Sequence, residues 1–218
     1  MAYNMIRNGK CPDGFGRVRW LCLGRTGASQ ASVAIDEDGR LYTWGQNYWG
    51  QSGQGDCCWL AGNETHPELE EIEWATQLTH FSDFIKSCSG ESASMALRAN
   101  GELLGWGDAG FADSYASFGL PYDSGTCHTC CRGVPQAAGY YYLFYRPVLC
   151  TPGYLWKDFA FDAYHGIGIG LDNKLYTWGS NDDYALGMAE DVVPEGGSSH
   201  TPILNTYLTA DIKFRSMR

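Results

Sequence analysis

The residues of this chain best suited to chemistry are its cysteines and histidines, and their spacing limits what they can do. Cys127-His128-Thr129-Cys130-Cys131 contains a Cys-x-x-Cys step, and Cys57-Cys58 offers a second pair of thiols. Four thiolates drawn together would make a tetrahedral zinc site, whereas two would make a disulfide between loops. A single Cys-x-x-Cys without a second well-spaced pair is a weak zinc signature. Zinc, a disulfide and free thiols therefore all stay open for Cys57, Cys58, Cys127 and Cys130. The nine cysteines are odd in number and too sparse for a disulfide framework, so the redox compartment is undecided. Cys22 and Cys88, each followed by a short residue pair ending in glycine, are expected to be buried packing thiols.

None of His66, His80, His128, His165 and His200 stands in a recognisable relation to a Ser or Cys nucleophile with an acid partner. The sequence offers no Gly-rich phosphate loop, no zinc-helix motif and no paired catalytic carboxylates in a defined context. The expectation is a non-enzymatic chain with no cofactor. Glu64, Glu68, Glu70, Glu71 and Glu73 read first as a solvated acidic stretch, with a calcium or basic-partner site as the alternative, and Asn63-Glu64-Thr65 as a chance glycosylation sequon.

The elements that must position these residues follow from composition and repetition. A chain of 218 residues, 44% hydrophobic and 14% aromatic, is long enough to bury a sizeable core. Its net charge of −10 would repel phosphate backbones, which disfavours nucleic acid as a partner. No apolar run is long enough for a transmembrane helix, and Met1 to Gly16 lacks the apolar stretch of a secretory signal, so no membrane insertion is expected. Localisation stays unknown, with a virion or extracellular particle as one reading.

One motif recurs three times: Gly39 to Gly45 (GRLYTWG), Gly101 to Gly107 (GELLGWG) and Asn173 to Gly179 (NKLYTWG). Self-similarity at a long period means an array of one supersecondary unit. The intervals between Trp44, Trp106 and Trp178 are long and uneven, so loops must absorb the difference. Trp44, Gly45, Trp106, Gly107, Trp178 and Gly179 form the structural repeat signature.

Each copy sits in the same order of strand signals. The first unit reads as strands over 17–24, 30–36 and 41–46, the second over 83–90, 94–97 and 103–106, the third over 158–164, 167–171 and 175–178. Hairpin turns at Asp36 to Gly39, Ala99 to Gly101 and Asp172-Asn173 join the last two strands of each. A weaker fourth strand is placed at 71–74, 146–150 and 201–205, where Pro147 and Pro202 suit an outermost position. Tyr140 to Tyr145 offers an extension of the second of these. Four antiparallel strands per unit, arranged radially, make a β-propeller blade. The fold class is all-β: three four-stranded blades plus the first strand of a fourth, in an incomplete ring. The divisions are an extension over 1–16, blade 1 over 17–74, blade 2 over 83–150 with a Cys/Tyr-rich insertion at 108–145, blade 3 over 158–205, and the start of a fourth repeat over 211–218.

The string Trp44-Gly45-Gln46-Asn47-Tyr48-Trp49-Gly50-Gln51-Ser52-Gly53-Gln54-Gly55 resembles the Trp-Gly-x-Asn-x-x-Gly-Gln-Leu-Gly-x-Gly signature of the regulator-of-chromosome-condensation repeat family, with Ser52 where leucine is usual. Ser94 to Leu97 and Ser32 to Ile35 resemble that family's His-Thr-Leu-Ala-Leu strand, and His165 falls at its histidine. The resemblance implies a bladed propeller, usually seven-fold, and a structural role for His165.

Calling the strands of a blade A to D outward from the axis, parity puts all C–D connections on one face. They are the longest segments of the chain, and long loops on a rigid scaffold usually bind something. Tyr48, Trp49, Trp59, Phe111, Tyr115, Phe118, Tyr122 and Tyr184 lie there among Gly, Ser and Asn, a mixture suited to recognition. The same rings could instead pack the loops onto the blades. The functional expectation is a protein-interaction or assembly module, read first as a structural or adhesive component such as a virion or tail appendage, with other copies or neighbouring subunits as partners. The alternatives are a regulatory propeller of the guanine-nucleotide exchange type, implied by the resemblance, and a protein inhibitor of an enzyme.

Overall fold

The computed structural model of the chain describes residues 17–23, 31–55, 59–60, 64–65, 71–111, 115–120, 135–136, 139–162 and 164–207. Among the described residues the regular elements are strands and two short 3-10 turns, and no helix is long and apolar enough to cross a membrane. The proposed fourth repeat at 211–218 and the extension over 1–16 lie outside the described residues.

Three sheets follow one another along the chain. The first is β1 (Val18–Leu23), β2 (Ala31–Asp36), β3 (Leu41–Gln46) and β6 (Glu71–Gln77), hydrogen-bonded in that order. Between β3 and β6 lies a small hairpin, β4 (Trp59–Leu60) with β5 (Glu64–Thr65). The second sheet runs β7 (Phe84–Ser89), β8 (Ala93–Arg98), β9 (Leu103–Phe111) and β11 (Gly139–Cys150), with β10 (Pro135–Gln136) added on its outer edge. The third is β12 (Trp156–Asp162), β13 (His165–Gly170), β14 (Leu175–Ser180) and β15 (Ser198–Leu204). All pairings are antiparallel, so the A-to-D order expected from the repeats is the observed one.

Several boundaries differ from the sequence expectation for local reasons. β9 and β11 are far longer than the Trp-Gly and Pro-Val-Leu signals showed, because Asp108 to Phe111 pairs with Tyr141 to Leu143 beyond a register shift. Tyr140 to Tyr145 thus belongs to the outer strand. Pro147 and Pro202 lie inside their strands rather than at the start, and Pro147 falls within the irregular stretch between Phe144 and Val148. An irregular outer strand tolerates a missing donor there. β12 begins two residues early, at Trp156, whose ring is buried against Trp178 with centroids 5.1 Å apart.

Alternation along the strands gives each blade apolar faces, and blade 2 is packed on both of its faces, against blade 1 on one and blade 3 on the other. Val33, Ile35 and Leu41 of blade 1 meet Phe84, Ala96, Leu104 and Trp106 of blade 2 in one core. Met95, Leu97 and Leu103 on the other face of blade 2 meet Trp156, Phe159, Phe161 and Trp178 in the next. Both cores are buried, and they sit between blades rather than inside one sheet.

Candidate interaction face

The Trp-Gly signature joins the blades, and in doing so it shapes the loop face. Gly45, Gly107 and Gly179 have φ of +97°, +97° and +100°, a region that L side chains rarely adopt. A Cβ on Gly107 would stand 2.4 Å from the Ser92 carbonyl oxygen. The indole just before the turn is thereby aimed at the preceding blade. Trp106 donates its Nε1–H to the Gln51 carbonyl at 2.8 Å, and Trp178 donates to the Ser117 carbonyl at 3.1 Å. Each acceptor belongs to the C–D connection of the blade before.

The first C–D connection begins as a tight latch. The Asn47 Oδ1 accepts from the Ser52 amide at 3.1 Å and from the Ser52 hydroxyl at 2.6 Å, while the Thr43 hydroxyl donates to the Ser52 carbonyl at 2.7 Å. Gly53 lets the chain lie on the Trp106 ring, where a Cβ would come within 2.8 Å of Cδ1. Ser52, where the repeat signature usually has leucine, is fully buried and turns its hydroxyl inward to Asn47.

The third connection repeats the latch with other residues. The Asn181 Oδ1 accepts from the Leu186 amide at 3.0 Å, its Nδ2 donates to the Val193 carbonyl at 2.7 Å, and the Thr177 hydroxyl donates to the Leu186 carbonyl at 3.2 Å. In the second connection the 3-10 turn Tyr115–Phe118 takes over, with Ser117 donating to the Ala109 carbonyl at 2.5 Å. Nothing in the second Trp-Gly repeat announces that substitution. Phe118, an expected loop-face ring, is fully buried instead, 5.6 Å from the Phe144 ring and 6.2 Å from Phe161.

The expected binding residues divide accordingly. Tyr48 and Trp49 are half-buried, edge to face at 4.8 Å, on top of the first latch. Tyr184 is 54% exposed on the third. Trp59 lies in β4, Phe111 ends β9 and Tyr115 opens its 3-10 turn. Tyr122, Cys57, Cys58, Cys127 and Cys130 fall outside the described residues, and among the described residues no cluster of His, Cys, Asp and Glu could hold a metal ion.

Sequence reasoning could not see how Tyr184 is displayed. Asp183 and Tyr184 have φ of +52° and +60°, a costly conformation for a tyrosine. The Tyr184 amide donates to the Asn181 carbonyl and the Gly187 amide to the Tyr184 carbonyl, so the latch enforces it. A hydrogen bond to Glu190 and that carboxylate's charge raise the phenol above its ordinary pKa. Around it Asp182, Asp183, Glu190, Asp191, Val192 and Glu195 are exposed, an acidic rim with an aromatic and an aliphatic residue in it.

The opposite face carries short turns. The Asp36 carboxylate accepts from the Asp38 and Arg40 amides at 3.0 and 2.9 Å and from Arg40 Nε at 2.7 Å. The carbonyls of Gly39 and Gly101 accept the Phe84 and Trp156 amides, at 3.0 and 2.8 Å, tying each turn to the next blade.

Comparison with known proteins gives one family match, one relative and two solved structures. Residues 38–97 match the family model described as Regulator of chromosome condensation (RCC1) repeat, a window from the first B–C turn to the end of β8. Protein pim1 of Schizosaccharomyces pombe is 28% identical over 165 residues, which covers 75% of this chain and 28% of that protein. The crystal structure of Prp20p from Saccharomyces cerevisiae, described with its binding properties to Gsp1p and histones, superposes with a TM-score of 0.65 at 20% identity, over 91% of this chain and 41% of that one. The crystal structure of Kap60 bound to yeast RCC1 (Prp20) gives 0.64 at 20% identity, over 91% and 39%. The chain therefore spans between about a quarter and two fifths of the length of these relatives.

Proposed function

We propose that this chain, whose blades are regulator of chromosome condensation repeats, is a regulatory protein-docking module that holds a partner protein against its C–D loop face. It acts by that contact rather than by making or breaking bonds in a substrate. Guanine-nucleotide exchange on a small GTPase is the activity we assign to it, following the repeat type and the relatives Protein pim1 and Prp20p.

One observation carries the reading: the third C–D connection spends backbone strain to present Tyr184 on an acidic rim, and its latch fixes the loop from beneath. A rigid aromatic anchor with little entropy left to lose is what a binding hot spot requires. The rim favours a partner with basic residues, in keeping with the net charge of −10. Gsp1p and histones, which the work on Prp20p names, are the first partners to try. A virion or tail-appendage role has no counterpart among these relatives, and the regulatory reading takes precedence.

The test is a titration of the chain against Gsp1p and histones, with nucleotide release from a panel of small GTPases. Binding that weakens at least about tenfold, ~1.4 kcal/mol, in Tyr184→Ala is the expected result. Equal affinity in Tyr184→Ala and in an Asp182→Asn, Asp183→Asn variant would remove the third C–D loop from the site.

A further inference from the structure

Near the propeller axis the inner strands bring two cysteines together. Cys22 of β1 and Cys88 of β7 occupy the same position in successive blades, opposite Val33 and Met95. They are not the buried packing thiols that the sequence led us to expect, since both are half-buried, and Cys22 Sγ reaches across the blade boundary to the strand that carries Cys88. Cys22 Sγ accepts the Ser89 amide at 3.1 Å, and the Phe161 amide hydrogen-bonds Cys88. Cys150 is fully buried, by contrast, and the equivalent position in blade 3 is Ala160, opposite Ile167.

We propose that Cys22 and Cys88 are a redox modification site, a thiol pair that closes to an interblade disulfide on reaction with a low-molecular-weight disulfide such as oxidised glutathione. Cys22 is the attacking sulfur. The hydrogen bond from Cys88 lowers its pKa most, burial opposes, and the Ser89 amide and Lys86 charge add to the lowering, giving about 7. That places a large thiolate fraction at neutral pH. The same hydrogen bond, burial and the Cys22 charge push Cys88 up, so Cys88 keeps its proton until it reacts.

The Cys22 thiolate attacks one sulfur of the external disulfide, whose S–S bond breaks, and one small thiolate leaves and takes a proton. Cys88 then gives up its proton and attacks Cys22 Sγ in the mixed disulfide, which releases the second small thiol. Two protein thiols are oxidised, one external disulfide is reduced to two thiols, and the protons balance. The new bond ties β1 to β7, so blade 1 cannot part from blade 2 without reduction.

The test is to incubate the fully reduced protein with oxidised glutathione from pH 6 to 9, quench with acid and map the peptides by mass. A Cys22–Cys88 peptide pair lighter by two hydrogens is expected ahead of any other cross-link, formed faster as pH rises through about 7. In Cys88→Ser a glutathione adduct should persist on Cys22. The thermal midpoint of the oxidised wild type should rise and return on reduction. Cys22 remaining a free thiol while other cysteines react, Cys22 pairing with another cysteine, or a lasting glutathione adduct on wild-type Cys22 would each overturn the proposal. Because the readout is a covalent mass, it is independent of whether the loop face binds a GTPase.

Discussion

At the residue scale the three signature tryptophans are not equivalent, although the sequence presents them alike. Trp106 and Trp178 are fully buried and donate to the preceding blade's latch, while Trp44 is half-buried. Trp106→Ala is expected to cost ~3–5 kcal/mol, the usual range for a buried aromatic, and Trp44→Ala clearly less. Urea titration of the two variants side by side checks the ranking, and equal losses would contradict it. Tyr184 behaves oppositely. Replacing it with glycine relieves the φ of +60°, so stability should hold or rise by up to ~1 kcal/mol while partner binding falls. Conserved binding in a Tyr184→Gly protein would mean the strain serves something else.

At the element scale the working unit is a turn with its anchor. Asn181 fastens the third C–D loop through Leu186 and Val193, so Asn181→Ala should cost ~1–3 kcal/mol locally. Amide exchange over 181–197 should accelerate while β12 to β14 keep their protection. The first B–C turn gives a pH prediction. Burial pushes the Asp36 carboxyl up, but the Arg40 amide and guanidinium and the Asp38 amide outweigh it and hold its pKa below the ordinary aspartate value. The folded protein therefore takes up this proton less readily than the unfolded chain. The stabilisation is complete above the ordinary aspartate pKa and lost as pH falls through the lower folded value. Asp36→Asn should lower the urea midpoint at neutral pH and flatten its decline in acid, and an unchanged acid limb would contradict the assignment.

The strands of these elements were legible because apolar residues alternate and each turn carries its own signal, as in Asp36 to Gly39. The latches were legible only where their residues recur, as at Asn47 and Gly53. In the second unit the carbonyl offered to Trp178 comes from Ser117, and a backbone acceptor leaves no trace in side-chain pattern. The strain at Tyr184 was hidden for the same reason: it depends on where Asn181 and Gly187 place the backbone, not on tyrosine's own preference. The meeting of Cys22 with Cys88 depends on blade packing, which alternation within one strand cannot report.

At the scale of the whole molecule, the blades are joined at three levels by contacts that repeat from one boundary to the next. Turn glycines accept inner-strand amides, axial cysteines meet amides of the next blade, and signature indoles reach back to the latches. One ion pair is particular to the axis: Lys86 Nζ lies 2.5 Å from Asp158 Oδ1, both largely buried, with Lys86 also over the rings of Trp20 and Phe159. Lys86→Met leaves Asp158 without that cation and should cost ~3–5 kcal/mol, whereas Lys86→Met with Asp158→Asn should recover much of it. A double variant as unstable as the single one would show that the pair is not the source of the loss. This stitched scaffold keeps tight turns on one side and sets the C–D loops on the other, which is the basis for a docking function. Hydrogen–deuterium exchange of the chain with and without a candidate protein partner, Gsp1p first, tests that claim most directly. The account predicts new protection over 47–55 and 181–197, with none over 37–40, 99–102 and 171–174, and protection confined to those turns would contradict it.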